Sequence, residues 1–226
     1  MKIGIIGTGM VGQTIGGRLS GLGHDVMIGT RDVAGTLARS ERDAFGNPPF
    51  KEWHAMHPGV KLGTMREAAA HGEFVVNATH GVSSVDALTT AGAENLRGKI
   101  LIDVANPLDF SRGMPPSLAV SNTDSLGERI QRAFPDAKVV KALNTVSAPV
   151  QVNPGLVGSG DHTIFVSGND ASAKAKVREL LQSFGWGHVI DLGDITTARG
   201  TEMLLPIWLR LMAALGTPLF GIKVVQ

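Results

Sequence analysis

Short apolar runs rich in Val and Ile alternate along the chain with stretches whose apolar residues recur every three or four positions. The first pattern suits strands buried on both faces of a parallel sheet, and the second suits helices packed against such a sheet. The runs predict strands at Lys2–Ile6, Asp25–Gly29, Val60–Thr64, Phe74–Thr79, Lys99–Val104 and Lys138–Leu143. The longer repeats predict helices at about Gly9–Leu22, Val33–Asp43, Met65–His71, Ser83–Leu96 and Ser125–Phe134, the last opened by a Ser125…Glu128 capping box. Strands and crossover helices in this number match a doubly wound α/β sheet.

The rhythm continues after Val150 on a smaller scale, with strand His162–Val166, helix Ala171–Phe184, strand His188–Leu192 and a long apolar helix from about Thr197. This divides the chain into a Rossmann domain over residues 1–150 and a small α/β appendage over 151–226 that ends in that helix. Gly46–His57 reads as an insertion rich in aromatic and turn residues, and Pro107–Asp124 as a long loop.

Composition narrows the chemistry. The 226 residues carry a net charge of +1 with no run of Lys or Arg, so neither a nucleic-acid surface nor an anionic-membrane surface is expected. Cysteine and tyrosine are both absent, which removes disulfides, thiolate metal sites, thiol nucleophiles and phenolic proton donors. The run Ile3–Ile6 is too short for a signal peptide, and the apolar stretch Met203–Ile222 holds Arg210 at its centre together with Pro206 and Pro218. A cytoplasmic protein is the expectation. The surplus of apolar residues on the last helix, including Trp208 and Leu211, predicts a homodimer contact that sedimentation at micromolar concentration would test.

The strongest motif is Gly7-Thr8-Gly9-Met10-Val11-Gly12, placed directly after the first strand and opening a helix. Its first glycine permits a tight turn, its second lets backbone approach a pyrophosphate, and its third lets helix and strand pack closely. At the end of the second strand the chain reads Thr30-Arg31, where a hydroxyl and a guanidinium suit the 2′-phosphate of NADP; Asp32 beside them is the kind of group an NAD site would use. The later strands end in Thr79-His80, Ala105-Asn106 and Leu143-Asn144, so His80, Asn106 and Asn144 are the candidates for the nicotinamide side, with Thr79 and Ala105 lining it. His80 is the titratable group among them, and the other histidines show no metal-ligand spacing.

The segments GTGMVGQ, IGTR, VVKALNTV at Val139–Val146 and IFVSGND at Ile164–Asp170 together resemble the coenzyme F420-dependent NADP oxidoreductases. The last two also resemble the cytosolic domain of the six-transmembrane metalloreductases. The resemblance implies hydride transfer between NADP(H) and a deazaflavin, coenzyme F420, or a flavin-like acceptor. It implies that Thr8, Gly9, Met10 and Val11 hold the pyrophosphate, that Thr30 and Arg31 hold the 2′-phosphate, and that His80, Val82, Asn106 and Asn144 surround the nicotinamide or the facing ring. Two departures stand out: Gly35 occupies a position where the family often places a second phosphate-binding lysine, and Gly46–His57 lies outside the shared pattern.

Hydride transfer between two bound rings asks for positioning more than side-chain chemistry. The rivals are a nucleotide-binding redox sensor without turnover and a reductase of another small carbonyl or imine substrate. A hydroxy-acid oxidation would require a buried base, whereas the lysines after Val150 (Lys174, Lys176 and Lys223) read as solvated.

Overall fold

The computed structural model describes residues 1–42 and 46–226. Strand β1 (Lys2–Ile6) leads into helix α1 (Met10–Gly21), then β2 (Asp25–Thr30), α2 (Val33–Ala38), α3 (Phe50–Met56), β3 (Val60–Thr64), α4 (Met65–His71) and β4 (Phe74–Asn77). Next come α5 (Ser84–Ala91), α6 (Ala93–Leu96), β5 (Ile100–Asp103), a hairpin of β6 (Leu108–Asp109) and β7 (Ser117–Leu118), α7 (Leu126–Ala133) and β8 (Lys138–Ala142). The chain finishes with α8 (Ala148–Val152), β9 (Thr163–Gly168), α9 (Ala171–Phe184), β10 (His188–Asp191), α10 (Ala198–Met203) and α11 (Leu205–Leu215).

The main sheet has the order β10-β9-β8-β5-β4-β1-β2-β3. From β3 to β8 this is the doubly wound Rossmann order, with the reversal of winding between β1 and β4, and every pairing in that stretch is parallel. The strands that follow residue 150 join the same sheet: β9 lies antiparallel to β8, and β10 parallel to β9.

Side-chain alternation along the strands divides the core into two layers. Ile3, Ile5, Phe74, Val76, Ile100, Ile102 and Val140 face α1, α3, α8 and α9, meeting Leu19, Phe50, Val150 and Leu181. Ile6, Val75, Leu101 and Val139 face the other way, against Ala68, Leu88, Ile130 and Ala198 of α4, α5, α7 and α10. Both faces being covered explains why these strands read as continuous apolar runs.

Local signals fix the helix ends. Ser125 Oγ accepts from the Glu128 N–H at 3.1 Å and donates to Glu128 Oε2 at 2.8 Å, so Ser125 caps α7 as expected but without the reciprocal bond from its own N–H that completes a capping box; Thr64 with Glu67 makes the complete box. The helix predicted over Ser83–Leu96 is two helices, because Gly92 turns at φ +94° and stops α5. The helix predicted over Val33–Asp43 closes at Ala38; its last residue, Asp43, lies outside the described residues. The Gly46–His57 insertion holds α3, whose Phe50 is buried against the core and whose Trp53 stacks on His57 at 4.2 Å between ring centroids. The long terminal helix is interrupted at Leu204, just before Pro206, which has no N–H to continue the ladder. Among the described residues no helix is long and apolar enough to cross a membrane.

Candidate functional site

The turn between β1 and α1 is built around close backbone approach. Gly7 sits at φ +121°, and a Cβ there would fall 2.5 Å from the Ala78 carbonyl oxygen; a Cβ on Gly12 would fall 2.1 Å from the carbonyl oxygen of Gly7. Gly9 differs: nothing lies within 4 Å of the place its Cβ would occupy. It is also the N-cap of α1 and offers no side-chain cap, so the first-turn N–H groups point into open space at the positive end of the helix. Gln13 Nε2 holds the Thr8 carbonyl at 2.8 Å and fixes the turn from below.

A cleft of about 680 Å³ opens over this turn, and Gly7, Thr8, Gly9, Thr30, Arg31, Thr79 and His80 line it together. It spans the carboxyl ends of β1, β2 and β4, where open α/β sheets receive their ligands. Arg31 is exposed and, among the described residues, without an ion-pair partner. Thr30 is buried at 8% exposure and shares a 2.8 Å hydrogen bond with the Thr36 hydroxyl, which in turn donates to the Asp32 carbonyl at 2.7 Å. The Asp32 carboxylate caps α2, accepting from the Gly35 N–H at 3.0 Å. That cap explains the glycine at 35: a Cβ there would lie 2.3 Å from Asp32 Oδ2 and would push the carboxylate off. Arg39 lines the same cleft, a second cation on the side where Gly35 offers none, and Thr36 is a lining residue that reading the sequence missed.

Met10, Val11, Gly12, Val82 and Ala105 do not line this cleft. Gly12 is buried under the turn, and Val82 is 54% exposed on the 3₁₀ turn Gly81–Ser83. Thr79 Oγ1 donates to Asn77 Oδ1 at 2.7 Å, and the His80 ring lies 5.7 Å from that of Phe110. Gly81 backs directly onto the Asn106 carbonyl, so the loops after β4 and β5 meet. Asn106 and Asn144 are brought together too, but chiefly with each other. Asn106 Nδ2 donates to the Asn144 carbonyl at 2.8 Å, while Asn144 Nδ2 donates to Asn106 Oδ1 at 3.0 Å and to the Thr201 carbonyl at 3.1 Å. Asn144, 4% exposed, therefore ties the strand end to α10. Leu143 before it is held at φ +62°, its carbonyl pinned by Gln151 Nε2 at 2.9 Å.

The largest omission of the sequence reading is a buried lysine. Lys141, 1% exposed, places Nζ 2.8 Å from Asp103 Oδ2 and 2.8 Å from Glu202 Oε1, and donates to the Ala105 carbonyl as well. Burial alone would lower its pKa, but the charges of Asp103 and Glu202 and their hydrogen bonds outweigh that and hold it above the ordinary lysine value. The signal was present: Lys141 interrupts the apolar run Val139–Leu143 in a strand with both faces covered.

A doubly wound sheet with an uncapped glycine cradle at its switch point, and a basic residue following the second strand, is the dinucleotide-binding fold of an oxidoreductase. A family model described as NADP oxidoreductase, coenzyme F420-dependent, matches residues 2–107. The crystal structure of a candidate F420-dependent NADP reductase from Arthrobacter sp. FB24 superposes with a TM-score of 0.97 at 61% identity, covering all of both chains. F420-dependent NADP reductase from Methanothermobacter marburgensis is 27% identical over 93% of this chain and 92% of its own length. Metalloreductase STEAP3 from Rattus norvegicus is 30% identical over 92% of this chain, which spans only 38% of that relative. The chain belongs to the coenzyme F420-dependent NADP oxidoreductase family, and is an NADP-dependent oxidoreductase.

Proposed function

We propose that the chain catalyses hydride transfer between NADP(H) and coenzyme F420. The uncapped first turn of α1 above the bare Gly9 supports this most directly, since it leaves backbone N–H groups and free space for a pyrophosphate. When bound, the cofactor supplies the hydride and the protein needs no nucleophile. Gly7, Thr8 and Gly9 fix the dinucleotide at its centre, Arg31 grips the 2′-phosphate, and the loops carrying His80 and Asn106 shape the nicotinamide side. The mutual amide bonds of Asn106 and Asn144 make them supports of that wall, and His80 the exposed group at its rim.

The direct test is transfer of deuterium from stereospecifically labelled NADPH to F420. Label on the carbon skeleton of the reduced deazaflavin is the expected result. Label in solvent alone, or no oxidation of NADPH by F420 or any flavin, would sink the proposal and favour a nucleotide-binding sensor. His80→Ala is expected to slow turnover by less than about tenfold with an unchanged pH profile, whereas a loss of 10²–10⁴ would assign it proton transfer.

Selectivity has a separate test. Arg31→Ala should weaken NADPH binding roughly 10- to 100-fold, the scale of a charged hydrogen bond, while barely affecting NADH. Equal losses for the two nucleotides in titration calorimetry would move the 2′-phosphate contact elsewhere, with Arg39 the next residue to examine.

A further inference from the structure

Beneath the strand ends that carry Ala105 and Asn106 lies a group of charges for which hydride transfer has no evident use. Asp103 ends β5, Lys141 is the penultimate residue of β8, and the two are direct partners in the sheet register. Glu202 reaches them from α10. Asp103 is 0% exposed, and Lys141 and Glu202 are each 1% exposed. Two carboxylates thus enclose one ammonium, leaving a buried sum of one negative charge.

A lone buried charge is costly unless something nearby offsets it. Part of the offset is visible: Glu202 accepts from the N–H groups of Leu126 and Gly127, at 2.7 and 3.0 Å, at the positive end of α7. A helix end amounts to roughly half a charge, so compensation is incomplete.

The place of this charge is informative. Asp103 Oδ1 accepts from Asn77 Nδ2 at 2.8 Å and from the Ala105 N–H at 3.2 Å, and Asn77 Oδ1 in turn holds Thr79 in the wall of the cleft. The cluster is therefore wired to the ends of β4, β5 and β8, the three strands whose ends receive the nicotinamide half of a dinucleotide in this topology. Lys141 also donates to the carbonyl of Ala105, the residue directly before Asn106.

We propose that the Asp103–Lys141–Glu202 cluster biases the site toward the oxidised cofactor, whose nicotinamide ring is a cation while the reduced ring is neutral. Fixed under the ring and shielded from salt, the excess negative charge stabilises NADP⁺ relative to NADPH and makes bound NADPH the stronger hydride donor. Lys141, Asp103 and Glu202 are on this account positioning residues that act through the field they set up. The inference rests on the dinucleotide lying across the cleft as proposed above.

The experiment is a titration of the full chain with NADP⁺ and, separately, NADPH, reading the ratio of the two dissociation constants. Glu202→Gln removes the excess charge and is expected to raise the NADP⁺/NADPH ratio roughly tenfold, the effect of a unit charge about 10 Å away at an effective dielectric constant of about 20. The double variant Lys141→Met/Glu202→Gln carries the native net charge, and its ratio should return close to the native one even though the cluster is broken. An unchanged ratio in Glu202→Gln, or the same shift in the double variant, would reduce the cluster to structural glue and overturn the proposal. Should Glu202→Gln fail to fold, Asp103→Asn neutralises the same charge and carries the same expectation. A native chain that binds neither nucleotide would overturn the dinucleotide reading itself, and this proposal with it.

Discussion

Lys141→Met is expected to lower the free energy of unfolding by about 3–5 kcal/mol, the range for removing one partner of a buried ion pair. The substitution leaves Asp103 and Glu202, each within 2.8 Å of the lost ammonium, facing one another in the core. Loss of Lys141 also strips a donor from the Ala105 carbonyl. Urea denaturation of the two proteins measures the difference. The triple change Lys141→Met/Asp103→Asn/Glu202→Gln should recover part of the loss, because the penalty lies in uncompensated charge more than in missing volume. A single variant within about 0.5 kcal/mol of native would show that water or a proton already neutralises the cluster. The sign with pH is also defined. The folded-state pKa of Lys141 is raised, so its contribution is complete at neutral pH and fades only above the ordinary lysine value.

The second large effect separates two glycines that look alike in the motif. Gly12→Ala is expected to abolish nucleotide binding and to destabilise the fold, since its Cβ would lie 2.1 Å from a backbone oxygen that cannot move without shifting the turn. Overpacking of this kind costs about 1–3 kcal/mol or more. Gly9→Ala meets nothing within 4 Å and should melt at nearly the native temperature, yet bind NADPH at least about tenfold more weakly because the methyl group occupies the pyrophosphate's place. Thermal melts with and without NADPH read both. Gly9→Ala that keeps full affinity would remove the pyrophosphate from this turn.

Much of this architecture was legible because its determinants are local. Strand β1, the glycine turn and α1 follow from consecutive residues, and so does the Ser125–Glu128 cap. What escaped depends on contacts between distant segments. Lys141 draws its meaning from Glu202, a partner 61 positions later on α10, and no periodicity joins the two. Thr36 is unremarkable until α2 turns its hydroxyl onto Thr30. Asn106 and Asn144 were legible as strand-end residues, but that their amides bind one another is a property of neighbouring strands β5 and β8. Helix α3 was obscured by the turn residues preceding it, since Phe50 finds burial only against the distant α1 layer.

The antiparallel insertion of β9 also bears on how the chain is made. A chain synthesised from its amino end presents β8 with one edge bare until Thr163–Gly168 emerges to cover it. Throughout that interval Lys141 has Asp103 but not yet Glu202. The nascent protein is thus most exposed to mispairing with other chains after the nucleotide half has formed and before β9 arrives. Pauses in translation placed between β8 and β9 would lengthen that window, and pauses after β9 would not.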